Sequence, residues 1–153
     1  MLEEYLNQDI NNPKYLFHGS PKKLEVIEPH VSHDSRGNVR NISNAVFLFP
    51  SFLKATPYAF KDTIKELGEG KKWNFTIPND DSYPLMSMSD VTISDDIIGY
   101  IYVFLKDDSM VKDEESYQYK CFSSLKPIDV VLVRYGDYSS YYEVIDSSEK
   151  VLK

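Results

Sequence analysis

The chain has 153 residues, 42% of them of apolar type, with twelve tyrosines and eight phenylalanines; that length fits one domain with a real core, and that composition excludes a disordered chain. A net charge of -7 with only three arginines, Arg36, Arg40 and Arg134, argues against a broad nucleic-acid surface, because binders of phosphate backbone present a basic face. No run approaches the roughly 20 apolar residues that span a bilayer, the acidic N-terminus lacks a signal-peptide pattern, and the single cysteine, Cys121, excludes an internal disulfide, all of which points to a cytoplasmic protein with no membrane partner.

Residues 2–10, LEEYLNQDI, read as a short, poorly anchored helix or a frayed arm, after which Asn11, Asn12 and Pro13 punctuate the chain. Tyr15, Leu16 and Phe17 form an apolar run that ends at His18, Gly19, Ser20 and Pro21, which predicts a buried strand whose end carries polar groups. Residues 22–28 alternate imperfectly around Leu24, Val26 and Ile27 and stop at Pro29. Residues 30–44 are polar and turn-rich, a surface loop of a length associated with function or disorder. Residues 45–49 (AVFLF) predict an apolar strand stopped by Pro50. Residues 51–67 have helical apolar spacing, with Pro57 expected to kink or divide the helix, and Gly68, Glu69 and Gly70 end it.

Residues 72–77 alternate Trp73, Phe75 and Ile77 as a strand does, whereas 78–96, rich in Pro, Asp and Ser, are expected to be irregular. Residues 99–105 are aromatic and β-branched and predict a strand; 106–116 are charged and expected to be exposed. Residues 117–122 and 128–133 read as strands joined through Pro127, and 141–145 as a last edge strand. With neither repeats nor a linker, the chain reads as a single α+β domain over 1–153, built of short strands with one main helix, helical 51–67, and an N-terminal arm over 1–12.

Three segments carry chemistry. At the end of the first strand, the His18 imidazole offers a hydrogen bond to a ribose hydroxyl, Gly19 lets backbone approach a flat ligand, and Ser20 adds a hydroxyl; a structural turn with a satisfied histidine is the plainer reading of those three residues alone. Residues 45–58 (AVFLFPSFLKATPY) extend the pattern. The chain resembles the ADP-ribosyltransferases of the poly(ADP-ribose) polymerase and diphtheria-toxin type. There a small residue opens a strand bearing a tyrosine two positions later, a helix with a lysine follows, and a second tyrosine comes eleven positions after the first. Ala45, Phe47, Lys54 and Tyr58 match that order without a gap, and His18 lies 29 residues before Phe47. Residues 117–122 and 125–133 are similar to the family's strand headed by the catalytic glutamate and its closing strand, with Gln118 at the glutamate position. The resemblance covers about 15–133.

The resemblance implies an ADP-ribosyltransferase-like split β-sheet core, with a cleft between sheets that takes NAD as substrate and needs no metal. His18 would hold a ribose hydroxyl, the Gly19 backbone would bond the nicotinamide carboxamide, and Ser20 would line the cleft. Tyr58 would stack on the nicotinamide ring opposite a wall formed by Phe47, and Gln118 would sit at the catalytic position. Arg36 and Arg40 lie where a family member meets the pyrophosphate. The reaction implied is cleavage of the nicotinamide–ribose bond through an oxocarbenium-like state and transfer of ADP-ribose to an acceptor, protein or nucleic acid. Three departures bear on it: Phe47 lacks the family's hydroxyl, Gln118 lacks the charge of glutamate, and Ala55 stands where a serine is frequent. They rule against chain elongation and leave mono-ADP-ribosyl transfer beside two alternatives: a catalytically degenerate domain that binds NAD, ADP-ribose or a protein, and an RNA 2'-phosphotransferase, which the acidic composition disfavours.

Other constellations read more plainly. Glu114 and Glu115 would either supply the missing carboxylate or form a solvated turn. His30, His33 and Asp34 have an i, i+3 spacing without a third ligand and read as loop. Cys121 reads as a buried apolar filler rather than a reactive thiol, Asp80–Asp81 and Asp95–Asp96 as surface charge, and Tyr138, Tyr141 and Tyr142 as packing or a partner surface.

Overall fold

The computed structural model describes residues 2–31, 44–67, 75–80, 82–89, 93–114 and 118–145. In chain order these form α1 (Leu2–Leu6), β1 (Tyr15–Ser20), β2 (His30–Val31), β3 (Asn44–Leu48), α2 (Phe52–Leu67), β4 (Phe75–Thr76), β5 (Met86–Ser89), β6 (Ile98–Leu105), β7 (Val111–Lys112), β8 (Tyr119–Cys121), β9 (Asp129–Arg134), α3 (Tyr135–Tyr138), a 3-10 turn (Ser139–Tyr141) and β10 (Tyr142–Ile145). The class is α+β: small, mostly antiparallel sheets with few helices among the described residues, of which only the 16-residue α2 is long. None of the described helices is long and apolar enough to cross a membrane.

The central sheet has the order β1-β6-β9. Its middle strand pairs Tyr15–Ser20 against Tyr100–Leu105 on one side and Asp129–Arg134 on the other. Leu16 and Phe17 are adjacent and both fully buried, as are Ile101, Tyr102 and Val103, so this sheet is covered on both faces. Such strands read as continuous apolar runs rather than alternations. Phe17, Ile101, Val103 and Val133 face α2, whereas Leu16, Tyr102 and Phe104 pack with Val46, Leu48, Tyr119 and Cys121 of a second sheet, order β2-β3-β8-β7. Cys121 is thus a buried filler.

A third sheet, β10-β5-β4, includes the parallel pair β10–β5. It corrects the expectation that 78–96 is irregular: Met86 and Met88 are buried, and the strand is held from both sides by Phe75–Thr76 and Tyr142–Ile145. One of its two partners, β10, lies 56 positions away in the pairing Met86 with Tyr142, so local composition carried no sign of it. Its edge strand β10 answers to the expected last strand. Tyr138 and Tyr142 are buried among Phe60 and Tyr135, so packing accounts for these two, and half-buried Tyr141 stacks on Tyr83. Residues 22–28 form no strand: Leu24 and Val26 are exposed, and only Ile27 is buried, through a bridge to Leu125.

The N-terminal arm is anchored, contrary to the expectation of a frayed end. Tyr5 is buried against Tyr15, Phe17 and Phe52, and its hydroxyl donates to Asp129 at 2.7 Å. Gln8 then fastens two strand ends: its amide nitrogen donates to the Tyr15 and Pro50 carbonyls at 2.8 and 2.7 Å, and its oxygen accepts the Tyr15 N–H at 3.0 Å. One glutamine therefore caps both the start of β1 and the exit from β3.

Pro57 neither divides nor ends α2, which runs unbroken from Phe52 to Leu67. Ser51 caps its start, accepting the Lys54 N–H at 3.1 Å. Inside a helix, proline leaves the carbonyl four residues earlier without its amide donor; here that carbonyl is Leu53, and the Thr56 hydroxyl donates to it at 2.7 Å. Since Thr56 has one proton, the buried Tyr142 hydroxyl must donate in turn to Thr56 Oγ1. The relay Tyr142, Thr56, Leu53 lets the helix pass through the proline. Thr56→Val keeps the shape but leaves two buried polar groups unpaired, and is expected to lower unfolding stability by about 1–3 kcal/mol in denaturant titration.

The helix lies close on the central sheet at two glycines. A Cβ built on Gly19 would stand 2.2 Å from the Ala55 carbonyl oxygen and 2.9 Å from the Ala59 nitrogen, and one on Gly99 would stand 2.3 Å from the Ala59 carbonyl oxygen. The obstructing atoms are backbone and cannot swing aside. Gly19→Ala is therefore expected to destabilise by at least about 1–3 kcal/mol by overpacking, measured as a fall in the urea midpoint at unchanged slope.

Candidate functional site

The geometry of interest lies where the two larger sheets meet. β1 and β3 are joined by a single backbone pair, Phe17 with Phe49, each donating its N–H to the other's carbonyl at 2.8 Å. Past that pair the strands part. His18 Nδ1 then lies 2.8 Å from the Phe47 carbonyl oxygen, taking the place that a backbone N–H would fill in a continuous ladder. A carbonyl only accepts, so Nδ1 carries the proton and Nε2 of the neutral ring is the acceptor.

The residues singled out from sequence fall around this seam. Gly19, next on β1, turns its Cα toward α2, and its built Cβ would lie 3.2 Å from Tyr58 Cβ. Tyr58 is half-buried, stacks on Phe49 with ring centroids 5.0 Å apart, and has the Lys61 ammonium 5.0 Å from its centroid. Burial pushes its hydroxyl up to about 12. Phe47 is half-buried, pairs across the ladder with Lys120, and has that lysine's ammonium 5.8 Å from its ring centroid. His18, Gly19, Phe47 and Tyr58, drawn from β1, β3 and α2, are thus one neighbourhood.

Gln118 precedes β8, and its carbonyl accepts the Asp113 N–H at 2.9 Å, closing the β7–β8 hairpin. The β3–β8 register pairs Phe47 with Lys120 and Leu48 with Tyr119; continued by one residue, it sets Gln118 opposite Phe49. Lys120 Nζ lies 3.7 Å from an Asp113 carboxylate oxygen, and both side chains are only 16% exposed. Ser20 is buried, with Oγ accepting the Lys22 N–H at 3.2 Å, so its hydroxyl serves the turn that leaves β1. Glu114 is exposed. Arg36, Arg40, His33, Asp34 and Glu115 lie outside the described residues. Among the described residues no group of three or more His, Cys, Asp or Glu side chains has metal-site geometry.

Sequence reasoning missed Phe49, Lys61, Asp113, Lys120 and Tyr102. The last stands opposite His18 on β6, and its hydroxyl donates to the Lys22 carbonyl and accepts the Leu24 N–H, both at 2.5 Å, which fixes the chain beyond Ser20. Only register reveals these contacts, since Tyr102 and Lys22 are 80 positions apart. Two had a local sign: Phe49, as the residue before Pro50 at the end of an apolar run, and Lys61, three positions after Tyr58 on one helix. No family model, curated protein or solved structure matches the chain.

The buried tyrosines set an alkaline limit. Tyr58, Tyr5 and Tyr142 all have hydroxyls raised above the usual 10, mainly by desolvation. The unfolded chain therefore loses these protons first, and the stabilisation, whole below pH 10, is lost as pH rises through the folded values. Unfolding midpoints should fall between about pH 10 and 12, and less steeply in Tyr58→Phe, as followed by circular dichroism in a pH series.

Proposed function

We propose that this chain is an ADP-ribosyltransferase-like domain that binds NAD at the His18 seam and transfers single ADP-ribose units to an acceptor. The observation that carries the reading is the meeting of the His18–Gly19 pair with Phe47 and Tyr58, residues up to 40 positions apart that the family resemblance assigns to one nicotinamide–ribose site. With Nδ1 engaged by Phe47, His18 Nε2 accepts a hydrogen bond from a ribose hydroxyl, and the Gln118 amide bonds a second. The Phe47 and Tyr58 rings flank the nicotinamide. As the nicotinamide–ribose bond breaks, its electron pair leaves with the ring, which becomes neutral. The ribose carbon becomes an oxocarbenium-like cation, and the acceptor's nucleophile adds to it and releases a proton. The residues in hand orient the ribose and exclude water; positioning of this kind supplies much of such a rate.

A second reading, binding of NAD or ADP-ribose without chemistry, is favoured by one observation. The strand beside Phe47 presents Gln118 and Lys120, and the nearby Asp113 carboxylate is ion-paired with Lys120. The RNA 2'-phosphotransferase reading gains nothing from Arg134, which pairs with Asp96 and Asp137.

Nicotinamide release from NAD separates the readings. The wild type is expected to release it. His18→Asn, which keeps a donor near the Nδ1 position and loses Nε2, should fold normally yet drop release by about 100-fold or more, while Gln118→Glu should raise it. NAD-dependent thermal stabilisation without release by either wild type or Gln118→Glu would make the chain a binding domain. Release that survives in both His18→Asn and His18→Ala would remove the seam from the chemistry.

A further inference from the structure

Each aromatic ring assigned to the nicotinamide already faces a cation. Lys61 Nζ stands 5.0 Å from the Tyr58 centroid, and Lys120 Nζ stands 5.8 Å from the Phe47 centroid. The two lysines come from different elements, α2 and β8. Lys120 is held there on two sides: it is the cross-strand partner of Phe47, and Asp113 lies 3.7 Å from its ammonium. The negative face of an aromatic ring attracts a cation, and the nicotinamide ring of oxidised NAD is itself a cation. A pyridinium entering between Phe47 and Tyr58 therefore competes with two ammonium groups for the same two rings and meets their charge at close range, with Asp113 offsetting that of Lys120.

On the reading that this seam binds NAD, we infer that Lys61 and Lys120 bias its nicotinamide end against a charged ring and toward ligands uncharged there: the reduced dinucleotide, free nicotinamide, or ADP-ribose. The same bias serves either functional reading. In a transferase it favours the broken bond over the intact one, because the ring loses its positive charge as it departs, so the lysines act on the leaving group by destabilising its charged form. In a binding domain it selects ADP-ribose over NAD.

The test compares NAD with NADH, which differ mainly in the charge of the ring, and with ADP-ribose, which lacks the ring. Binding of NAD, NADH and ADP-ribose is measured by calorimetry at low ionic strength on the wild type, Lys61→Met, Lys120→Met and the double variant, each checked for fold by circular dichroism. The wild type is expected to bind NADH about three- to tenfold tighter than NAD, the effect of a partly screened like charge at this range. Both single variants should reduce the ratio, the double variant should bring it close to one, and added salt should shrink it in the wild type. Equal affinities in the wild type, or a ratio that persists in the double variant, would overturn the inference while ADP-ribose binding leaves the cleft reading intact. If none of the three nucleotides binds, the cleft reading fails and the inference falls with it. Should Lys120→Met not fold, the half-exposed Lys61→Met carries the test alone, and an unchanged ratio there counts against the inference.

Discussion

Where β1 leaves β3, a backbone carbonyl loses its ladder partner, and a side chain has to replace it. The Phe17–Phe49 pair is the last point at which the two strands share hydrogen bonds, and His18 bridges the opening by bonding the Phe47 carbonyl. Buried or half-buried backbone groups are costly to leave unpaired, so a donor is required at this position whatever else the histidine does. The same bond fixes the ring's tautomer and turns its second nitrogen into an acceptor. A structural need and a chemical capability thus reside in one imidazole, which is why a variant such as His18→Asn, keeping a donor on one side only, can separate them.

At that opening β1 is sealed on both faces. Phe17 and Gly19 meet α2, while Leu16 meets the second sheet. Close contact between α2 and the sheet demands small residues on both sides, and the chain supplies Gly19 and Gly99 against Ala55 and Ala59. Gly19 therefore has a packing reason to be glycine independent of any ligand. On the helix, the Ala55 carbonyl oxygen is the atom nearest Gly19's missing side chain. Continuity of α2 through Pro57 depends in turn on Thr56 and on Tyr142, some 86 positions away; the third sheet and the main helix are thereby tied into one hydrogen-bonded unit.

Charge around the seam follows from register. Phe47 and Lys120 face each other because β3 and β8 run antiparallel with that pairing, and Asp113 reaches Lys120 because β7 and β8 form a hairpin closed at Gln118. The outcome is aromatic surface loaded with cations in a protein of net charge -7. Whole-chain charge describes long-range attraction and solubility, whereas the field at a site is set by the two or three charges nearest to it.

Most strands were legible in the sequence. The runs at 15–17, 45–49, 99–105 and 128–133 are apolar or β-branched, bounded by proline, glycine or charge, and each forms a strand. The main helix was legible too, because its apolar spacing reflects a face that must be buried. Local composition misled where the deciding partner is distant: Met86–Ser89 is a strand because of β10 and β4, the N-terminal arm is anchored by Tyr5 and Gln8, and Pro57 is tolerated because of Thr56. At the site, His18, Gly19, Phe47 and Tyr58 were named as companions because the family resemblance implied it. Lys61 was within reach of sequence reasoning, three positions after Tyr58 on one helix; that Lys120 and Asp113 stand beside them could not be read, since hydrogen-bond register brings those charges there. By itself the sequence determined the main helix and the strands that are apolar or β-branched along their length, because burial periodicity and turn chemistry are local. Only the tertiary structure decided which carbonyl His18 bonds and that Lys120 faces the Phe47 ring, because those contacts exist only once distant segments are paired.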